Sequence, residues 1–141
     1  MRRAFTLVEC CTVLAVVGIL LAIVAPAARA PLDRLRTEAA VRRLTMALNV
    51  ARRAATLHGA VATLTVDSLG LRVVVAPDSQ PVWQGPGPRV DGVALTNVPG
   101  QHRFAPGGLG LGLANATYEF SRGQARVRVI VSRYGRVRVE R

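Results

Sequence analysis

Histidine and cysteine are the residues of this chain whose chemistry most often supports catalysis or metal binding, and their positions give that chemistry little support. The two histidines, His58 and His102, have no cysteine or acidic residue at metal-ligand spacing. Cys10 and Cys11 are adjacent within an apolar run, so on a helix they would point in different directions. We therefore expect no metal site, no cofactor and no catalytic residue, and the protein is not predicted to be an enzyme.

A glycine-rich stretch, Gly107–Gly112, is superficially similar to a phosphate-binding loop. Such a loop binds phosphate together with the N-terminus of the helix that follows it. Here a predicted strand follows instead. We therefore predict that this stretch is a flexible hairpin connection.

Glu9 raises the clearest chemical question, because it lies near the front of an apolar run from about Cys10 to Ala28. A helix needs about 20 apolar residues to cross a bilayer. An acidic side chain in such a segment costs roughly 2.5–3.5 kcal/mol to insert at its centre, so it is normally kept only with a partner or a function. We expect a single membrane-spanning helix in which Glu9 has a specific task.

Two kinds of cleaved signal compete with that interpretation. An export signal would use Arg2–Arg3 as its basic region and Ala28–Ala30 as a small-x-small cleavage site, but Pro31 directly after that site disfavours cleavage. The twin arginines are also a feature of Tat signals, in which an acid such as Glu9 is not expected. A lipoprotein signal is excluded because the apolar stretch follows the cysteines. A cleaved export signal remains the alternative.

The stretch RRAFTLVE and the apolar run behind it resemble the N-terminus of type IV pilins and type II secretion pseudopilins. The shared features are a short basic leader, Phe5 as the first mature residue, and Glu9 at a fixed distance from it. Gly18 and Pro26 also fall where many pilins have them. One departure is Ala4, because the family usually has glycine before the cleavage point. Since alanine is also small, we expect processing to continue at a slower rate.

This resemblance implies both a processing step and a role for the carboxylate. A prepilin peptidase would cut after Ala4 on the cytoplasmic side and N-methylate Phe5, leaving the helix in the bacterial inner membrane and the C-terminal domain in the periplasm. Glu9 would pair with the new α-amino group of a neighbouring subunit, which offsets the cost of burying either charge alone. The implied partners are the peptidase, inner-membrane lipid, and other pilin or pseudopilin subunits.

Hydrophobic periodicity predicts that this helix continues as a stem and that strands follow it. Apolar residues recur every three or four positions from Leu35 to Ala55, and Gly59 is a stop signal. Beyond Gly59 the period changes to two, over residues 60–67, 71–76, 92–98, 116–120, 125–132 and 135–140. Residues 77–92, rich in turn formers around Trp83, are predicted to form a loop.

These elements predict an α+β fold in which a long N-terminal transmembrane and stem helix packs against a small antiparallel β-sheet domain, as in pilins. The expected division is a leader over residues 1–4, the helix over 5–58 and the sheet domain over 59–141.

The C-terminal stretch ARVRVIVSRYGRVRVER predicts a hairpin with one apolar and one basic face. A two-residue loop would place arginines on the valine face. A three-residue loop over 133–135, with Gly135 left-handed, pairs Val131 with Val137 and keeps the faces consistent. The outer face then carries Arg126, Arg128, Arg136 and Arg138.

The charge of the chain is strongly positive. All 19 basic residues are arginine, and the formal net charge is +11. Such an excess favours nucleic acid, anionic lipid or acidic proteins as partners but does not indicate a fold. Glu119, on the strand before the hairpin, is expected to pair with one of the hairpin arginines, a contact worth about 0–1 kcal/mol.

The closing strand–turn–GRVRV segment, with FAPGG earlier in the chain, resembles the GspH/FimT group of minor pilins and pseudopilins. GspH-type members lie near the tip of the type II secretion pseudopilus. FimT-type members belong to type IV pili, and some bind DNA during natural transformation through a Gly-Arg-x-Arg element, which Gly135–Arg138 matches. The DNA-binding residues implied by this resemblance are Arg126, Arg128, Arg133, Arg136 and Arg138.

We therefore predict a minor pseudopilin of a type II secretion system, with a DNA-binding type IV minor pilin as the alternative. Any DNA binding is expected to involve mainly the phosphate backbone, because the hairpin carries a single aromatic residue, Tyr134, and no recognition helix.

Overall fold

The computed structural model describes residues 6–98, 100–112 and 115–141, apart from the side chains of Ala25, Pro26 and Ala28. The chain divides into two compact units, Met1–Leu32 and Asp33–Arg141. One helix, α1 (Leu7–His58), contributes residues to both units.

The first unit is helical over its described residues from Leu7 onward, and its surface is mainly apolar as far as Val24. Leu7–Val24 has a mean hydropathy of 2.7 and is long enough to cross a membrane. None of this segment is buried within the chain. A helix satisfies all its backbone hydrogen bonds internally, which makes it a suitable structure for an apolar sequence in lipid.

In the second unit, α1 buries a stripe of small and aliphatic residues. They recur every three or four positions, which places them on one helix face. The stripe comprises Ala40, Val41, Leu44, Ala47, Leu48, Ala51, Ala54 and Ala55. The expectation that Leu35 lies on this face is wrong, because its side chain is 60% exposed. The hydrophobic core contacts the helix only from Ala40 onward.

Two antiparallel sheets follow the helix. Among the described residues the strands are β1 (Ala62–Val66), β2 (Gly70–Val75), β3 (Pro81–Pro86), β4 (Ala94–Thr96), β5 (Gln101–Phe104), β6 (Gly110–Leu111), β7 (Asn115–Arg122), β8 (Ala125–Ser132) and β9 (Val137–Glu140). A five-stranded sheet has the order β3-β2-β1-β5-β6, and a four-stranded sheet has the order β4-β7-β8-β9.

Both sheets and the stem part of α1 share one hydrophobic core. Its largest fully buried side chains are Tyr118, Phe104 and Phe120, and alternating residues of β1, β2, β7 and β8 complete it. The predicted α+β fold class is confirmed. The sheet domain differs from the expectation in having two sheets, which the helix joins through its alanine-rich face.

The prediction of a loop over residues 77–92 is wrong in part. Residues Pro81–Pro86 form β3, which pairs with β2, and Pro88–Asp91 form a 3₁₀ turn. Proline is tolerated in β3 because β3 is an edge strand, where one row of backbone groups needs no partner. Trp83 packs against the core from this strand. The short strands β5 and β6 also lay outside the six predicted stretches.

Ion pairs connect the stem to the loops and strand ends around it. Nε of Arg122, at the end of β7, lies 2.7 Å from Oδ1 of Asp33 on α1. The same guanidinium donates a hydrogen bond to the backbone carbonyl of Asp91, and the Asp91 carboxylate pairs with Arg43 of α1. These contacts fix the turn before β4 against the helix.

Candidate functional site

Glu9 lies in the first turn of α1, at the start of the exposed apolar segment. Its backbone N–H donates a hydrogen bond to Oγ1 of Thr6, which caps the helix start at 3.3 Å. The Glu9 side chain is exposed and has no ion pair within the described residues. A carboxylate here is favoured by the positive end of the helix dipole. Ala4 and Phe5, the predicted processing site, lie outside the described residues.

The surface around Glu9 consists of large apolar side chains. Leu7 and Val8 are 82% and 72% exposed, respectively. Further along the same segment, the exposed large residues are Val13, Leu14, Val16, Val17, Ile19, Leu20, Leu21, Ile23 and Val24. A contiguous apolar surface of this kind marks a site of contact with lipid or protein.

The C-terminal hairpin has the predicted loop and register. Val131 pairs with Val137, and Gly135 is left-handed with φ of 74°. The N–H of Gly135 donates to the carbonyl of Ser132 at 2.8 Å, and the N–H of Ser132 donates to the carbonyl of Arg136 at 2.9 Å. The hydroxyl of Ser132 accepts a further bond from the N–H of Arg136 at 3.1 Å. The turn is thus held by three hydrogen bonds among Ser132, Gly135 and Arg136.

The basic face of this hairpin is partly neutralised. Nε of Arg128 lies 3.5 Å from a carboxylate oxygen of Glu119, which confirms the predicted pairing of Glu119 with a hairpin arginine. Nε of Arg138 lies 3.2 Å from a carboxylate oxygen of Glu140. Arg126 is exposed on the same face, where it opposes Ser121 across the strand pair. Two of the three arginines on the strands therefore share their charge with an acid.

The arginines at the turn differ from those on the strands. Arg133 and Arg136 are both exposed, and neither is within ion-pair distance of an acid in the part of the chain that the structure describes. Tyr134 between them is 75% exposed. The predicted five-arginine set thus separates into a strand face on which two of three arginines are paired with an acid and a turn whose two arginines are not.

The apolar face of the hairpin is only partly covered. Val127, Val129 and Val131 of β8 are buried, as expected. Val139 of the edge strand β9 was expected in the core but is 45% exposed. It borders a groove of about 630 Å³ along α1 that also contacts Met46. The edge strand therefore extends beyond the surface that the helix covers.

Sequence reasoning missed one residue that contacts the hairpin turn. Arg52, exposed on α1, places Nη1 3.3 Å from the position that a Cβ atom on Gly135 would occupy. Its Nε lies at the same distance from the corresponding position on Gly108. The signal available in the sequence was weak, because Arg52 is one of several arginines on the polar side of the helix.

The glycine-rich stretch supports the turn from the other sheet. Gly108 is left-handed with φ of 75°, and its N–H donates to the carbonyl of Ala105 at 2.8 Å. In β6, the N–H of Gly110 donates to the carbonyl of Arg133 at 2.9 Å. The predicted hairpin connection thus contains strand β6, and it joins the five-stranded sheet to the C-terminal turn.

Two titratable groups, Tyr118 and His102, are buried. Burial raises the pKa of Tyr118 to about 12 and lowers the pKa of His102. The His102 ring packs against Phe104 with ring centroids 4.9 Å apart. No group of three or more His, Cys, Asp or Glu residues that could hold a metal ion occurs among the described residues.

Comparisons with known proteins give one family and one fold. The family model described as "Type II transport protein GspH" matches residues 40–135. A crystal structure of the type IV minor pilin FimU of Pseudomonas aeruginosa PAO1 is similar, with a TM-score of 0.65 and 17% sequence identity over 77% of this chain and 91% of the chain in that structure. A second crystal form of FimU gives a TM-score of 0.60 and 16% sequence identity, over 74% of this chain and 92% of the chain in that structure. Among curated proteins, none matches this sequence.

Proposed function

This chain belongs to the GspH family of minor pilins and pseudopilins, and we propose that it is a minor pseudopilin of a type II secretion pseudopilus. In this proposal residues 1–4 form a leader, residues 5–58 form the transmembrane and stem helix, and residues 59–141 form the periplasmic domain. The protein acts as a structural subunit rather than as an enzyme. It is inserted once in the bacterial inner membrane and then incorporated into the filament.

One observation carries the proposal: the whole of Leu7–Val24 is unburied within the chain. A helix with this surface must contact either lipid or other apolar helices. A filament core built from such helices provides the second environment. The segment can therefore leave the membrane without exposing its apolar surface to water.

Glu9 is proposed to control that transfer. After cleavage between Ala4 and Phe5, the α-amino group of Phe5 on a neighbouring subunit pairs with the Glu9 carboxylate. Each charge alone is costly in an apolar environment, and the pair reduces that cost. The exposed position of Glu9 in the first helical turn leaves its carboxylate free for a second subunit.

The test replaces Glu9 and follows the protein from membrane to filament. Glu9→Ala is expected to insert in the membrane as the wild type does, yet to be lost from sheared filaments. Glu9→Asp keeps the carboxylate and is expected to retain part of the incorporation. Thr12→Ala, a polar change one turn along the same exposed helix, is the matched control. Incorporation of Glu9→Ala at the wild-type level would overturn the proposed role of the carboxylate.

A second candidate function is supported by the uncompensated turn of the hairpin. Arg133 and Arg136 are exposed and free of ion pairs within the described residues. As a type IV minor pilin, the protein would use Gly135–Arg138 to bind DNA for natural transformation. Five arginine–phosphate contacts would give a salt slope of about −4.5 on duplex DNA and about −3.5 on single strands.

The two candidates differ in the cellular process that fails when the gene is deleted. A pseudopilin deletion is expected to stop the release of secreted enzymes and to leave DNA uptake unchanged. A deletion of a DNA-binding minor pilin is expected to have the opposite effects. Complementation with Arg136→Gln separates them further, because this variant restores secretion in the first case and fails to restore transformation in the second.

A further inference from the structure

We propose that Arg52 of the stem helix is part of the DNA-binding surface, which makes that surface a corner between α1 and the hairpin turn. This inference rests on the second candidate function above. It extends the implied set of five hairpin arginines to a residue that lies 81 positions before Arg133 in the sequence.

Arg52 lies beside the hairpin turn. An added Cβ on Gly135 would lie 3.3 Å from its Nη1 and 3.6 Å from its Cζ. The guanidinium of Arg52 therefore lies against the backbone of the turn at Gly135, the residue immediately before Arg136 in the chain. A phosphate bound at this turn would be within the field of both residues, because charges a few ångströms apart interact strongly even near water.

The arginines at the turn differ from Arg128 and Arg138 in whether an acid neutralises their charge. Arg52 has no acid within ion-pair distance among the residues that the structure describes, and the same holds for Arg133 and Arg136. Arg128 and Arg138, by contrast, pair with carboxylates. An arginine that already neutralises an acid gains less from a phosphate, since it must give up one partner for another. The turn is therefore a stronger phosphate-binding surface than the strand face.

The hairpin turn beside Arg52 is held in place before any ligand binds. The turn is fixed by a hydrogen bond from the N–H of Gly110 to the carbonyl of Arg133, in addition to the bonds within the hairpin. Gly108 leaves room for the Arg52 side chain, because an added Cβ there would lie 3.3 Å from its Nε. Groups that are already in place before binding lose less conformational entropy when the ligand arrives.

The experiment is a salt-series titration of the full chain in detergent against a fluorescein-labelled single strand of about 20 nucleotides, read by anisotropy. Arg52→Gln is expected to weaken binding several-fold and to reduce the magnitude of the salt slope by about 0.7, the share of one phosphate contact on a single strand. Arg52→Lys keeps the charge and is expected to keep most of the slope. Arg72→Gln is the matched control.

Arg72 suits this purpose because it is an exposed arginine without an ion pair in the described chain, on β2 of the other sheet. Two strands, β1 and β5, separate β2 from β6. Equal slopes for Arg52→Gln and Arg72→Gln would overturn the role of Arg52 while leaving DNA binding by the hairpin intact. Wild-type affinity and salt slope in Arg52→Gln would also overturn it. A wild type that does not bind DNA would overturn the second candidate function itself.

Discussion

Arg122 and Asp33 form an ion pair across 89 positions of the chain, with 2.7 Å between Nε and Oδ1. Their side chains are only 23% and 25% exposed, respectively. The pair joins the end of β7 to α1 ahead of the hydrophobic core, and Arg122 also holds the backbone carbonyl of Asp91. We call this ion pair the polar clamp, because it holds the end of β7 against α1. On α1 it lies before the hydrophobic core in sequence, on the side of the apolar helix segment.

Arg122→Ala is expected to lower the free energy of unfolding by about 2 kcal/mol, because it leaves a half-buried carboxylate and a carbonyl without their donor. Arg128→Ala is the control, since its pair with Glu119 has side chains 62% and 45% exposed. Exposed pairs contribute about 0–1 kcal/mol. Urea unfolding of the purified protein measures both. Equal losses in the two variants would contradict the clamp.

Gly135→Ala is expected to destabilise the hairpin by about 1–2 kcal/mol, because alanine is strained in the left-handed conformation. The added Cβ would also lie 3.3 Å from Nη1 of Arg52 and displace that side chain. Gly107→Ala is the control, because Gly107 has no positive φ and open space at its Cβ. Thermal unfolding compares the two. A neutral result for Gly135→Ala would show that the turn has another accessible conformation.

Burial of Tyr118 makes the free energy of unfolding depend on pH in the alkaline range. Its hydroxyl is buried without a hydrogen-bond partner among the described protein groups, and burial raises its pKa from 10.0 to about 12. The folded state holds the proton more tightly than the unfolded state, so stability is full below pH 10 and is lost as pH rises toward 12. The loss is about 2–3 kcal/mol at 1.36 kcal/mol per unit.

Tyr118→Phe is expected to remove this alkaline loss and to be neutral or stabilising at pH 7, since it removes an unpartnered hydroxyl. The melting temperature measured from pH 8 to pH 12 distinguishes the variant from the wild type. An absorbance titration of Tyr134→Phe, in which Tyr118 is the remaining tyrosine, reports its ionisation directly. Ionisation near pH 10 in the folded protein would contradict the burial argument.

Burial of His102 makes the free energy of unfolding depend on pH in the acidic range, where stability falls as pH decreases. Burial lowers its pKa below the ordinary 6.5, so the unfolded state takes up a proton before the folded state does. Stability is therefore expected to fall as pH drops below 6.5. His102→Leu removes this loss, whereas His58→Gln, at an exposed histidine, keeps it. Melting temperatures at pH 7.5 and 5.5 test the difference, and an unchanged pH response in His102→Leu would refute it.

Local patterns in the sequence were sufficient for the elements whose neighbours are close in the chain. The register of the β8–β9 hairpin followed from alternation and one glycine, because a shift by one residue would reverse both faces. The helix followed from apolar periodicity over many turns. Strand β3 was missed because its prolines and Gly85 signal a turn locally, and only its pairing with β2 stabilises it as an edge strand.

By itself, the sequence determined the exposed apolar helix with Glu9 at its start, the α+β class and the two faces of the hairpin, since each depends on residue types at short, regular spacing. The tertiary structure alone decided which arginines keep their charge free. Asp33 compensates Arg122 across 89 positions, and among the described residues no acid lies within ion-pair distance of Arg52 at the turn. These contacts join residues distant in the chain, so only the folded backbone brings them within the few ångströms over which charges pair.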